Sequence, residues 1–136
     1  MEFTWLSRWQ SQLLAVLRIV AALLFMEHGL AKLVHFPVPQ PGAPNPLPPL
    51  LIAASLIEMF GGVLLTLGLF TRLAAFIMSG EIAIGYFLSH FPKSFWPIVN
   101  QGDAAILFCF VFLYIAAAGP GAWSLDDARK RTAPIH

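Results

Sequence analysis

Ionisable side chains interrupt stretches of sequence that are otherwise long and apolar. Glu27 and His28 fall in the first of these stretches, Glu58 in the second, Glu81 in the third and Asp103 in the fourth. An ionisable group at membrane depth costs ~2.5–3.5 kcal/mol or more, so it is usually paired, neutralised or turned toward a polar cavity. These acids and this histidine are therefore candidates for proton exchange, ligand binding or structural ion pairs.

Depth and helical facing predict one cluster of these groups in the outer half of the membrane. Each residue adds ~1.5 Å to the length of a helix and turns it by about 100°. On that geometry we predict a buried polar or ligand-binding cluster formed by His28, Glu58, Asp103, Asn100 and Tyr114. A position at the cytoplasmic membrane interface fits Tyr114 equally well.

A second polar level is predicted nearer the cytoplasm, where Arg18 and Glu81 would form an intramembrane ion pair. Arg18 and Glu27 point in roughly opposite directions on a straight helix, so we place His28 inward and both Arg18 and Glu27 on the flanks of α2. Lys32 and His35 come near the outer surface, where a long basic side chain can reach toward water. The sequence therefore predicts two polar levels and leaves Glu27 outside both.

Several chemistries fit the outer cluster. It could be a hydrogen-bonded network that fixes helix register, a proton relay, or a polar pocket for a small redox ligand such as a quinone head group. A divalent metal on His28, Glu58 and Asp103 fits less well, because the helical Glu-x-x-His pairs of carboxylate di-metal bundles are absent, and we predict no metal. Cys109 is the single cysteine, and no catalytic serine–histidine–acid set or phosphate loop is visible. These absences favour an accessory role over a catalytic one.

Four apolar runs must position these residues. We predict membrane spans over 12–34, 47–70, 72–91 and 101–118, each about as long as the ~20 residues that cross a ~30 Å hydrocarbon layer. Hydrophobic residues make up 58% of the chain and charged residues 11%, which excludes an ordinary soluble fold with ~25% charged residues. The first run lacks a small-residue cleavage site, so we expect a retained helix. The prediction is an all-α, integral membrane four-helix bundle in one domain, 1–136.

Basic residues are unevenly divided among the connections between these runs. Arg8, Arg72 and the basic run 129–131 share the side that holds both termini, which predicts that both termini are cytoplasmic in an inner-membrane, multi-pass protein. The opposite side carries proline-rich residues 35–49, whose backbone cannot continue a helix. A net charge of +1, without a run of basic residues interleaved with aromatic ones, indicates no nucleic-acid partner.

Four stretches along the chain resemble the DoxX-like family of small membrane proteins. They are, in order, FMEHGLAKL, EMFGGVLLTLGLFTRLAA (58–75), GEIAIGYFLSHFPKSFWPIVNQGDAAILF (80–108) and AAAGPGAWSLD (116–126). The resemblance implies a four-helix inner-membrane protein that serves as an accessory subunit of a quinone- or thiol-linked redox system. It also implies a soluble or membrane oxidoreductase as partner. The motif positions it carries over are Arg18, His28, Lys32, Glu58, Arg72, Glu81, Asn100 and Asp103.

Asp103 departs from the glutamate more usual at that position of the family, and its shorter side chain weakens a relay or metal role there. Two other functions fit the sequence. The chain could be a small proton-coupled transporter that uses Glu58 and Glu81, or a structural subunit of a larger membrane complex. In each case the lipid bilayer surrounds the helices, and association with a second copy or with other spans fits the large apolar surface.

Overall fold

The computed structural model describes residues 2–132, and every regular element in that range is a helix. The seven α-helices are α1 (Thr4–Ser7), α2 (Gln10–Val34), α3 (Pro49–Leu67), α4 (Thr71–Gly85), α5 (Pro97–Asn100), α6 (Asp103–Ala118) and α7 (Leu125–Thr132). A π-helical turn, Tyr86–His90, and a 3₁₀ turn, Phe91–Lys93, prolong α4.

Three helical stretches within residues 2–132 are long and apolar enough to cross a membrane: Gln10–Val34, Pro49–Leu67 and Thr71–Lys93. Asp103–Ala118 is also apolar but has only 16 residues. The predicted all-α membrane bundle is confirmed.

Local sequence explains where the long helices begin and end. α3 starts with Pro49 at its first turn, where the missing N–H costs nothing. It ends at Gly68, whose φ of 69° lies in the left-handed region that glycine adopts without strain. Because of this turn, α3 ends before residue 70, which is the end that we predicted from the sequence. Gln101 is also left-handed, with φ 61°, so α6 begins at Asp103 and not at 101.

Successive long helices run antiparallel, and glycines set the closest contacts between α2 and α3. A Cβ at Gly29 would lie 2.7 Å from the Ser55 carbonyl oxygen, and one at Gly62 would lie 2.7 Å from Met26 Cβ. Small residues at these positions let two backbones approach closely, which is how membrane helices associate without a hydrophobic driving force. Gly29 and Gly62 therefore fix how α2 lies along α3.

The apolar core joins all four long helices. Phe25 of α2, Leu65 of α3, Met78 of α4 and Phe112 of α6 are buried within it. Phe25 and Phe112 meet edge to face with ring centroids 5.4 Å apart. Many large apolar side chains point outward instead, as expected where lipid replaces water.

Candidate functional site

A buried ion pair joins α2 to α3. Lys32 Nζ lies 2.8 Å from Glu58 Oε1, and the two side chains are only 11% and 5% exposed. Gly29 lies one turn before Lys32, and a Cβ there would lie 3.1 Å from Glu58 Cβ. The bare glycine thus lets α3 bring Glu58 close enough for the lysine to reach it.

Glu81 of α4 adds a second carboxylate to this pair. It lies within electrostatic range of both Glu58 and Lys32. One carboxylate oxygen of each acid, Glu58 Oε2 and Glu81 Oε2, is buried without a hydrogen-bond partner. We call Lys32, Glu58 and Glu81 the charge cluster. One ammonium faces two carboxyl groups here, so neutrality in a low-dielectric interior requires a proton or a bound cation.

His28 stands beside the charge cluster. Its Nδ1 donates to the Leu24 carbonyl oxygen at 2.9 Å, which fixes the orientation of the ring. The ring lies within electrostatic range of Glu58, and its centroid is 6.3 Å from that of Phe108. His28 thus lies near Glu58, but it is exposed on α2 and not in the inward, buried position predicted for it.

Asp103, Asn100 and Tyr114 do not join them, and the predicted five-residue cluster is corrected on this point. Asp103 is exposed in the first turn of α6, where a carboxylate suits the positive end of the helix dipole. Tyr114 is 60% exposed on the outer face of α6. The physical reason is that α6 starts at Asp103, so this acid lies at a helix end and not within a span.

Asn100 is fully buried, and its side chain holds the connection between α4 and α6 by hydrogen bonds. Its Nδ2 donates to the Tyr86 hydroxyl at 3.1 Å and to the Ser94 carbonyl at 2.9 Å. Its Oδ1 accepts from the Gly102 N–H at 2.8 Å. These bonds tie the turn before α6 to the end of α4, so Asn100 has a structural role.

Arg18 does not pair with Glu81, and that prediction is corrected as well. The guanidinium is fully buried and donates to backbone carbonyl oxygens of residues 120–123: Pro120, Ala122 at 3.2 Å and Trp123 at 2.9 Å. The segment after α6 folds back under the bundle and turns at Gly119 and Gly121, both with positive φ. Helical periodicity could not show that a loop would supply the acceptors.

Within residues 2–132, no group of three or more His, Cys, Asp or Glu side chains could hold a metal ion. The alternative ligand set of His28, Glu58 and Asp103 is therefore not assembled, because Asp103 lies at the start of α6.

A cavity of about 200 Å³ reaches Lys32 beneath the proline-rich connection between α2 and α3. We call it the proline-loop cavity, and its lining residues are Ala31, Lys32, His35, Pro39, Gln40, Ala43, Pro44 and Asn45. Gln40 Oε1 is buried there without a hydrogen-bond partner. The cavity therefore combines an ammonium, an imidazole and two amides next to the charge cluster.

Sequence reasoning missed the role of Lys32 by treating it as a surface lysine. The signal that could have revealed it is Gly29, one helical turn earlier on the same face, which marks a close contact with another helix. A long basic side chain beside such a contact can reach an acid on the neighbouring helix.

Comparison with known proteins agrees with this architecture. The DoxX family matches residues 13–90. An uncharacterized protein of Haemophilus influenzae is 44% identical over 126 residues, which cover 90% of this chain and 94% of the relative. The inner membrane protein YphA of Escherichia coli K12 is 32% identical over 134 residues, covering 84% and 88%. No solved structure matches. The family match and these two relatives place the chain in the DoxX family of membrane proteins.

Proposed function

We propose that this DoxX-family protein is an accessory subunit of a quinone-linked redox system in the bacterial inner membrane. The observation that carries the proposal is the Lys32–Glu58 ion pair, buried in the bundle with Lys32 also lining the proline-loop cavity. A polar head group entering that cavity would meet the Lys32 ammonium, which is paired on its other side with Glu58.

Quinone chemistry suits this arrangement because reduction takes up electrons and protons in equal number. The electrons would come from a soluble or membrane oxidoreductase partner. Lys32 can donate a hydrogen bond to a quinone carbonyl oxygen. Glu58 and Glu81 each have a free carboxylate oxygen that can carry a proton toward that oxygen.

The thiol-linked version of the redox role is less well supported by this chain. Cys109 is its single cysteine, so the chain offers no dithiol of its own. Its Sγ lies 3.5 Å from the Ser79 hydroxyl between α6 and α4. Any disulfide exchange would need both reactive thiols from a partner.

The membrane topology belongs to the same proposal. We place α6 as a fourth span, with residues 1–136 as one transmembrane domain and both termini in the cytoplasm. Sixteen residues give ~24 Å of helix, which the turn at α5 can extend toward the membrane surface. Arg8, Arg72 and Arg129 lie toward the end of the bundle assigned to the cytoplasm.

The test is the quinone content of the protein purified in mild lipid with its partner oxidoreductase. We expect bound quinone in the wild type and a several-fold loss in Glu58→Gln, because the neutral amide no longer holds the Lys32 ammonium in position to donate to the quinone carbonyl oxygen. Glu81→Gln, which breaks no direct ion pair, should also slow quinone reduction by the partner. Glu27→Gln, an exposed acid on α2, is the matched control and should behave as wild type. A quinone-free wild type that changes no partner's quinone reduction rate would refute the proposal.

Proton-coupled transport is the second candidate, and the proximity of Glu58 and Glu81 on neighbouring helices favours it. Reconstituted in liposomes with a pH gradient, such a carrier should show proton flux that falls sharply in Glu58→Gln and Glu81→Gln. Flux that is the same in these variants and in Glu27→Gln would count against transport. Flux in the absence of any partner would favour transport over the redox role.

A further inference from the structure

A larger cavity, of about 490 Å³, lies at the opposite end of the bundle from the proline-loop cavity. We call it the α7 cavity, and its lining residues are Phe70, Thr71, Arg72, Leu73, Pro120, Asp126, Arg129 and Lys130. Three of these side chains are cationic and one is acidic. The cavity therefore has an excess of positive charge.

The Asp126 carboxylate binds the start of α4 and so holds α7 against α4. Its carboxylate oxygens accept from the backbone N–H groups of Phe70 and Thr71, each at 2.9 Å. Burial acts to raise the pKa of Asp126, but these hydrogen bonds and the charge on Arg129 outweigh it and hold the pKa below its ordinary value. Asp126 is therefore ionised at neutral pH and bound to the start of α4, and with three cations against this one carboxylate the lining keeps a net positive charge.

Two of the three cationic side chains, one on α4 and one on α7, are held in place by contacts within the protein. Arg72 donates to the carbonyl oxygens of Ala116, at 3.2 Å, and Ala117, at the end of α6. A guanidinium has five N–H donors, so others remain available. The Arg129 guanidinium lies over the Phe70 ring, 5.1 Å from its centroid. These contacts orient positive charge around the cavity before any ligand arrives.

Apolar side chains border the same cavity. Phe70 is 53% exposed and Leu73 is 63% exposed. Both lie at the boundary of the membrane-crossing stretch that begins at Thr71. A ligand that fits must bring an anionic group to Arg72 and Lys130 and apolar chains to Phe70 and Leu73. Free phosphate satisfies the first condition only.

We propose that the α7 cavity binds the phosphate head group of an anionic phospholipid from the adjacent leaflet. Basic pockets at the ends of membrane helices bind such head groups, and each basic residue adds to the attraction. Thr71 lines the same cavity beside Asp126, at the start of α4. The site is independent of the redox role and lies on other residues.

The experiment uses the full chain in mixed micelles that contain equal amounts of phosphatidylglycerol and phosphatidylcholine, with retained lipid counted by native mass spectrometry. Wild type should retain phosphatidylglycerol in preference to phosphatidylcholine. Lys130→Gln should weaken that retention by about fivefold, the contribution expected of one basic side chain at an anionic head group.

Arg131→Gln is the matched control, because it removes the same charge from the next residue of α7. Arg131 is 78% exposed, pairs with Asp127 and does not line the cavity, so its loss should leave retention within about twofold of wild type. Equal losses in the two variants would mean only diffuse attraction to α7 and would overturn the site. No lipid preference in wild type, or displacement of phosphatidylglycerol by millimolar inorganic phosphate, would also overturn it.

Discussion

Lys32 holds the central position among the individual side chains. Its ammonium is the positive member of the buried pair with Glu58 and also lines the proline-loop cavity. A buried ion pair is weak evidence of stabilisation, since desolvation offsets much of the attraction. A role in binding or proton exchange therefore explains the buried Lys32–Glu58 pair better than a contribution to stability does.

Removing Lys32 alone should be costly. Lys32→Met leaves Glu58 buried without its cation, and loss of one partner of a buried pair destabilises by ~3–5 kcal/mol. Thermal unfolding in detergent should show a clear decrease in midpoint temperature. Lys93→Met, at an exposed lysine of the 3₁₀ turn, is the control and should be close to wild type.

The double variant Lys32→Met/Glu58→Gln separates pairing from packing. Because residue 58 no longer carries an uncompensated charge, the double variant should recover most of the midpoint temperature lost in Lys32→Met while still failing to bind quinone. A Lys32→Met protein as stable as wild type would show that the pair is not desolvated in the membrane.

Among the elements, the segment after α6 is tied to the bundle more firmly than its composition suggests. Arg18 donates to its carbonyl oxygens, and Asp126 caps the start of α4. The Asp126 N–H in turn donates to the Gly68 carbonyl oxygen at 2.9 Å. The connection between α3 and α4 and the start of α7 therefore move as one unit.

Arg18→Leu should release this segment. Each hydrogen bond to a charged donor contributes ~1.5–3 kcal/mol, and the leucine leaves the carbonyl oxygens of residues 120–123 unpaired. We expect faster amide hydrogen exchange in α7 and a lower yield of any assembled complex. Arg8→Leu, at an exposed arginine before α2, is the control. Unchanged exchange in α7 would show that Asp126 suffices to hold it.

At the scale of the whole molecule, the antiparallel helices separate two polar sites. The charge cluster and proline-loop cavity lie where α2 ends and α3 begins, and the α7 cavity lies where α4 begins and α6 ends. A lipid bound at one end would anchor the bundle without blocking a head-group site at the other.

The residue pattern determined the class of the protein. Length and apolarity predicted the long helices, because a span must satisfy its backbone internally and present apolar side chains to lipid. The inward position of Glu58 also followed from helical facing, since small residues share its face of α3, whereas His28 was predicted to face inward and is exposed.

Tertiary structure decided which charges meet. Lys32 reaches Glu58 only because Gly29 brings α3 close to α2, and Arg18 finds carbonyl oxygens only because the segment after α6 folds back. Both depend on how separate elements dock. Periodicity along one helix reports the face and depth of a side chain, but the partner across the interface is set by backbone approach and loop path.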